Sequence, residues 1–277
     1  MHVIGTSARP DLPLAVVVGA GALGMAIARR LALGHRVLLA DVNGAAAEAG
    51  AAQMRAEGCD AGAQACDVTD PASITGLASA VSERGGFRAL VYVAGLSPSA
   101  AEFHAIIRVN LMGAARVCAA LLPLARQDSA AVLISSLAAH GPAPAVEVAA
   151  LLRDAGAEDL ADRLAAALGE QAIPQRAYPL SKWGMNLYVR RQAAAWGQRG
   201  ARIVSLSPGL IATPMGALEF EKSPGKRAMY EKSPLARECT MLEIADVTEF
   251  LVSRRASFIS GTDILVDGGL AAALAEG

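Results

Sequence analysis

Apolar residues along this chain alternate between two patterns. Short, unbroken apolar runs rich in Val, Leu, Ile and Ala read as strands buried on both faces: Leu14–Val18, Arg36–Ala40, Ala89–Ala94, Ala130–Ser135, Ala201–Leu206 and Asp263–Val266, with a weaker run at Asp60–Cys66. Between them, apolar positions recur at helical spacing over Leu23–Leu33, Ala45–Glu57, Pro71–Arg84, Phe103–Leu124, Tyr178–Trp196 and Leu242–Ser253. Gly34 and Gly58 end the first two helices, and Asp70 is placed to cap the third. Strands alternating with helices over the whole length predict an α/β fold, a parallel sheet with helices on both faces and right-handed crossovers. No linker, repeat or low-complexity stretch divides the chain, so residues 1–277 are expected to form one domain.

Two segments interrupt the alternation. Residues 141–176 hold two helix-like stretches, Val146–Leu152 and Leu160–Leu168, separated by Gly156, where a short loop would suffice. Residues 211–238 are polar and broken by Pro214, Pro224, Gly225 and Pro234, as a mobile loop would be.

Composition narrows the function classes. Hydrophobic residues make up 53% and charged residues 18%, enough apolar material for a large core. A net charge of −1 without a basic run argues against nucleic acid or an anionic membrane as the main partner. Cys59, Cys66, Cys118 and Cys239 form no CxxC pair and no metal-ligand spacing, which reads as scattered reduced thiols of a cytoplasmic protein without a metal. Cys118 is expected in the core. The uncharged stretch Leu12–Ala28 resembles a secretory signal, but Gly19, Gly21 and Gly24 have a spacing that a signal core does not need.

Those glycines are the first candidate chemistry. Gly19-Ala20-Gly21-Ala22-Leu23-Gly24 is a G-x-G-x-x-G between a strand and a helix, the phosphate-binding turn of a Rossmann-type fold. The first glycine permits the turn, the second admits a pyrophosphate, and the third lets the helix pack on the sheet. The helix start offers free N–H groups and a positive dipole end. Asp41 ends the second strand seventeen residues after Gly24, where a carboxylate would bind a ribose diol and repel a 2′-phosphate. With no Lys or Arg in the turn or at residues 42–44, NAD is the expected cofactor.

Tyr178 and Lys182 lie four apart and share one face of a helix. A tyrosine with pKa near 10 is a poor base at neutral pH, and a nearby ammonium favours its phenolate. Pro179 is compatible with a helix only if that helix begins close by. The strand Val132–Ile134 ends in Ser135 and Ser136, Asn110 follows an apolar helical stretch, and Pro208-Gly209 follows another strand.

With these motifs in this order, the chain resembles the short-chain dehydrogenase/reductase family from about Ala15 to Gly269. The resemblance implies that Tyr178 is the general acid/base, Ser136 binds the substrate oxygen, Lys182 holds the nicotinamide ribose and Asn110 holds a water linking Lys182 to solvent. It implies adenosine-side contacts at Asp67, Val68, Ala94 and Gly95, and nicotinamide contacts at Pro208, Gly209, Ile211 and Thr213, besides Gly19, Gly21, Leu23, Gly24 and Asp41 at the phosphates and ribose. Ser135 is second choice for the hydroxyl role. The chain departs from the family's T-G-x-x-x-G-x-G by a turn one residue shorter with Val18 in place of Thr, from N-N-A-G by Tyr92-Val93-Ala94-Gly95, and from a frequent Asn by Ser205.

Forty-one residues separate Ser136 from Tyr178. This insertion resembles the 3α-hydroxysteroid dehydrogenase/carbonyl reductase subgroup. Its apolar Val146, Leu151, Leu152, Leu160 and Leu164 must be buried on their own domain or on a partner subunit, and a homodimer or homotetramer is expected. The expected activity interconverts a secondary alcohol and a ketone of an apolar, alicyclic or steroid-like substrate, under a lid at 211–238 carrying Met215, Leu218, Phe220, Met229 and Tyr230. The alternatives are a 3-oxoacyl-thioester reductase, which predicts a basic patch for a carrier phosphate, and a non-catalytic NAD-binding protein. His140, near Ser136, is in reach of a substrate, but a lone histidine in a Gly-Pro loop is more often incidental.

Overall fold

The computed structural model describes residues 11–213 and 224–276. Its frame is a seven-stranded, wholly parallel sheet of β1 (Leu14–Val18), β2 (Arg36–Asp41), β3 (Ala61–Ala65), β4 (Phe87–Tyr92), β5 (Ala125–Ile134), β6 (Arg202–Pro208) and β7 (Asp263–Val266), in the order β3-β2-β1-β4-β5-β6-β7. The order reverses between β1 and β4. A crevice therefore opens beyond their carboxyl ends, the place where doubly wound sheets bind ligands.

Successive residues of a central strand must satisfy opposite faces, which is why these strands are apolar throughout. Val16, Val18, Leu90 and Tyr92 enter one core layer, and Val17, Val91, Val132 and Leu206 the other. The second layer is covered by α1 (Ala22–Leu31), α2 (Gly44–Ala56) and α10 (Met241–Val252). The first is covered by α3 (Pro71–Glu83), α4 (Phe103–Ile107), α5 (Ala114–Leu121) and α8 (Pro174–Gln198). A π-helical turn, Arg108–Gly113, joins α4 to α5. The run Phe103–Leu124 is long and apolar enough by composition to cross a bilayer, but Ile106, Ile107, Leu111, Val117 and Leu121 are packed into this core.

The insertion forms α6 (Val146–Leu151) and α7 (Leu160–Leu168). Leu152, Leu160 and Leu164 are fully buried in the first layer, joined by Val148, so most of the insertion's apolar side chains pack on their own sheet's helices. Val146 is the exception, at 84% exposed. The segment 211–238 is not irregular throughout: Pro224 opens an eight-residue helix, α9 (Pro224–Glu231). Met215, Leu218 and Phe220 lie outside the described residues. A short C-terminal helix, α11 (Leu270–Glu276), follows β7 and is capped by Asp267, whose Oδ2 accepts from the Ala271 N–H.

One boundary differs in a way that matters. The helix carrying Tyr178 and Lys182 starts at Pro174, not beside Pro179. Pro174 takes the first-turn position, and Pro179 sits in the interior, where it cannot donate to the Gln175 carbonyl. Burial of Ala177, Ser181, Lys182, Met185, Val189 and Trp196 along one side holds the helix together through this break.

Candidate active site

The glycine turn is built on contact distances that exclude side chains. Gly19 has φ +108°, and a Cβ there would stand 2.6 Å from the Ala94 nitrogen. A Cβ on Gly24 would overlap the Gly19 carbonyl oxygen, so α1 approaches the turn as closely as backbone allows. At Gly21 the space is open: nothing lies within 4 Å of an added Cβ. Gly21 also caps α1 without a side chain, which leaves first-turn N–H groups facing the cleft. This is a cradle shaped for a pyrophosphate. At its rim Asp41 accepts hydrogen bonds from Ala20 N (2.7 Å) and Asn43 N (2.9 Å), which fixes the carboxylate beside the turn.

A cleft of about 2090 Å³ runs from this turn across the carboxyl ends of β1, β4, β5 and β6. That is roughly twice a typical small-molecule site and leaves room for a dinucleotide and a second reactant. The sequence-predicted residues gather around it. Gly19, Gly21, Leu23, Gly24, Asp41, Asp67, Val68, Ala94 and Gly95 line one end; Ser136, Tyr178, Lys182, Pro208, Gly209, Ile211 and Thr213 line the other. Asn110 alone lies below the lining, fully buried.

Local structure sets each of these side chains. Ser136 leaves β5 in an extended conformation and caps a 3₁₀ turn, Leu137–His140, its Oγ accepting from Ala138 N at 3.1 Å while its own proton stays available. Ser135 is more buried, and its Oγ donates to the Lys182 carbonyl at 3.3 Å. The Lys182 Nζ donates to the Ile134 carbonyl at 2.8 Å and lies 5.7 Å from the centre of the Tyr178 ring. Asn110 Oδ1 accepts from Leu96 N at 2.7 Å, and its Nδ2 donates to Leu96 O at 3.0 Å and meets Ser181 Oγ at 3.3 Å. Gly95 backs onto both: a methyl group there would stand 3.5 Å from Asn110 Oδ1 and 3.8 Å from Lys182 Nζ. Burial brings the Lys182 ammonium down from 10.5 to about 8.

Two residue ranges match family profiles: residues 13–150 match "short chain dehydrogenase", and residues 164–271 match "Enoyl-(Acyl carrier protein) reductase". A short-chain dehydrogenase/reductase, bsc3 of Alternaria brassicicola, is 34% identical over 94% of this chain and 96% of its own length. The chain belongs to the short-chain dehydrogenase/reductase family. D-threitol dehydrogenase of Mycolicibacterium smegmatis is 35% identical over 94% of each chain. The 3-alpha-hydroxysteroid dehydrogenase/carbonyl reductase of Comamonas testosteroni is 34% identical over 68% of this chain and 74% of its own. Among solved structures, that of gox2181 superposes with a TM-score of 0.77 at 26% identity, covering 94% of this chain and 96% of the other. This family of oxidoreductases uses a nicotinamide dinucleotide on a Rossmann fold.

Where this short-chain dehydrogenase/reductase departs from the family's motifs, the structure shows what stands in. Val18 carries only apolar contacts in its side chain, but its carbonyl accepts from both Val93 N and Ala94 N at 2.8 Å, so the backbone holds the turn against β4. Tyr92 reaches from β4 to the π-helical turn, where its hydroxyl donates to the Val109 carbonyl at 2.6 Å. That turn widens the helix just where Asn110 must reach Leu96. It is also crowded, because a Cβ on Gly113 would stand 2.7 Å from the Tyr92 hydroxyl. Tyr92→Phe is expected to leave the Val109 carbonyl without this donor and to cost about 1–3 kcal/mol. Urea unfolding curves of the two proteins check this; equal midpoints would refute it. Ser205, in place of the frequent Asn, is buried with no partner for its hydroxyl among the described residues.

One pairing at the site has no signal in the sequence. His140 lines the cleft, and its Nε2 lies 2.8 Å from Asp263 Oδ2. The two residues are 123 positions apart, and nothing in the spacing pairs them.

Proposed function

We propose that this chain is an NAD(H)-dependent short-chain alcohol dehydrogenase/carbonyl reductase that interconverts a secondary alcohol and a ketone. The observation that carries the reading is the convergence of Ser136, Tyr178 and Lys182 on one cleft whose other end is the glycine cradle. The open face of Gly21 and the uncapped start of α1 fit a pyrophosphate, and Asp41 at the turn fits an unphosphorylated ribose diol. The dinucleotide supplies or accepts the hydride when bound.

The chain's own groups handle the proton and the oxygen. Ser136 donates its free proton to the substrate oxygen, and Tyr178 Oη gives or takes the hydroxyl proton. The Lys182 charge favours the phenolate form of Tyr178. Asn110, locked to Leu96 by two hydrogen bonds, stands behind Lys182 and Gly95 and is placed to hold a proton-carrying water. The segment 211–238 serves as a lid over an apolar, alicyclic or steroid-like substrate. Its two ends are pinned to each other: Ile211 and Cys239 form a β-bridge, and Met229 on α9 faces the cleft.

A panel of cyclic and steroidal ketones, read at 340 nm with NADH and NADPH in parallel, tests the proposal. Turnover with NADH at least tenfold above NADPH is expected. Replacing Asp41 by Ala removes the carboxylate that repels a 2′-phosphate and should narrow that preference by about one to two orders of magnitude. No turnover of any ketone would count against the reductase reading, and an Asp41→Ala protein with unchanged preference against the reading of the glycine-turn end.

A further inference from the structure

A second polar constellation, Ser207, Asp263 and His140, reaches the cleft through His140. Ser207 is fully buried near the end of β6, and its hydroxyl donates to Asp263 Oδ1 at 2.9 Å. Asp263, only 14% exposed in its side chain, engages His140 Nε2 through its other oxygen at 2.8 Å. His140 ends the 3₁₀ turn that begins beside Ser136, and both residues line the cleft. The bonds run hydroxyl to carboxylate to imidazole. The hydroxyl therefore meets the carboxylate rather than the ring, and Ser207 is no nucleophile with a histidine base.

A partly buried carboxylate with both oxygens engaged costs desolvation, and it is placed at the head of an otherwise apolar strand, Asp263-Ile264-Leu265-Val266. Its effect is to fix the imidazole. A carboxylate oxygen accepts, so the contact takes Nε2 as the donor, and in the singly protonated tautomer with that geometry Nδ1 is left as an acceptor. Among the described residues Nδ1 has no hydrogen-bond partner.

We infer that His140, oriented by Asp263, is a specificity residue whose Nδ1 accepts a hydrogen bond from a second hydroxyl on the substrate, away from the carbon that reacts. The preferred substrates are then cyclic alcohols and ketones with an apolar body and one further hydroxyl. This rests on the reading of the cleft as a ketone reductase site and names the substrate class within it. An unpaired acceptor in a partly enclosed site discriminates against an analogue that lacks the donor, by roughly tenfold for one neutral hydrogen bond.

The test pairs ketones with and without a hydroxyl across the ring, such as 4-hydroxycyclohexanone and cyclohexanone, together with hydroxylated and plain bicyclic ketones. The ratio of kcat/KM, hydroxylated over plain, is expected to exceed ten in the natural protein for at least one pair. It should fall toward one in His140→Phe, and fall partly in Asp263→Asn, which frees the ring to turn. A ratio near one for every pair, or one unchanged in both variants while overall rates drop together, would show a loop clamp and overturn the inference.

A second readout does not depend on turnover. With four histidines in the chain, ¹⁵N-histidine spectra are assignable through His140→Phe. His140 should show the Nε2–H tautomer, with an Nδ1 resonance that moves on adding 1,4-cyclohexanediol and stays with cyclohexanol. The opposite tautomer, or equal response to both alcohols, would overturn the inference even if no ketone in the panel were reduced; absence of reduction would by itself count only against the reductase reading.

Discussion

Tyr178→Phe is expected to lower kcat for ketone reduction by about 10²–10⁴-fold while changing the affinity for NADH less than twofold. The substitution removes one oxygen and nothing else. The ring remains half-buried against the first core layer, and Lys182 still donates to the Ile134 carbonyl. The groups proposed to hold the cofactor's phosphates and ribose, the glycine turn and Asp41, belong to other elements. Steady-state rates at 340 nm and a fluorescence titration with NADH separate the two effects. A variant with more than a tenth of the natural rate would move the proton-transfer role away from Tyr178.

Lys182→Met should make the protein more stable and inactive. Lys182 is 4% exposed, and its burial holds the ammonium at about 8 instead of 10.5. A base whose folded pKa lies below its unfolded value opposes folding wherever both states are protonated. That penalty, on the order of 3 kcal/mol, is fully present below pH 8. It is relieved as pH rises from about 8 toward 10.5, where the native state has released a proton that the unfolded chain still binds. Methionine fills a similar volume without the charge but gives up the hydrogen bond to Ile134. A net gain of about 1–2 kcal/mol is expected, or roughly 2–4 °C in Tm at pH 7. The difference between the two proteins should shrink when the melts are repeated at pH 10. A variant less stable at pH 7, with no pH-dependent convergence, would show that the buried ammonium does not oppose folding.

The parallel sheet was legible because its strands carry their own label. Runs such as Val16-Val17-Val18 are apolar at every position, and each is followed by helical spacing. Ser135 and Ser136 lie just past β5 and both line the cleft; they differ in burial and in the Ser135 bond to the Lys182 carbonyl, which the sequence does not report. Nor was the start of α8 legible. Pro174 and Pro179 each suit a first turn, and what decides between them is the buried side of the helix, contributed by elements far away in sequence. The helix α9 was hidden for a similar reason: proline and glycine marked the segment as irregular, though Pro224 opens a helix. The pairing of His140 with Asp263 needed coordinates. Periodicity reports which face a residue takes; it says nothing about which distant residue shares that face.

The insertion separates Ser136 from Tyr178 by two helices whose inner sides belong to the core. It therefore sets the order in which the molecule can become competent. Every strand pairing in this sheet spans a crossover, and none closes a local hairpin. Loop closure of this kind is slow, and contacts distant in sequence form late. Ser136 and Tyr178, on either side of those helices, are expected to come to one cleft only once α6 and α7 have docked. Recovery of catalysis after dilution from denaturant should consequently lag behind recovery of the far-ultraviolet signal.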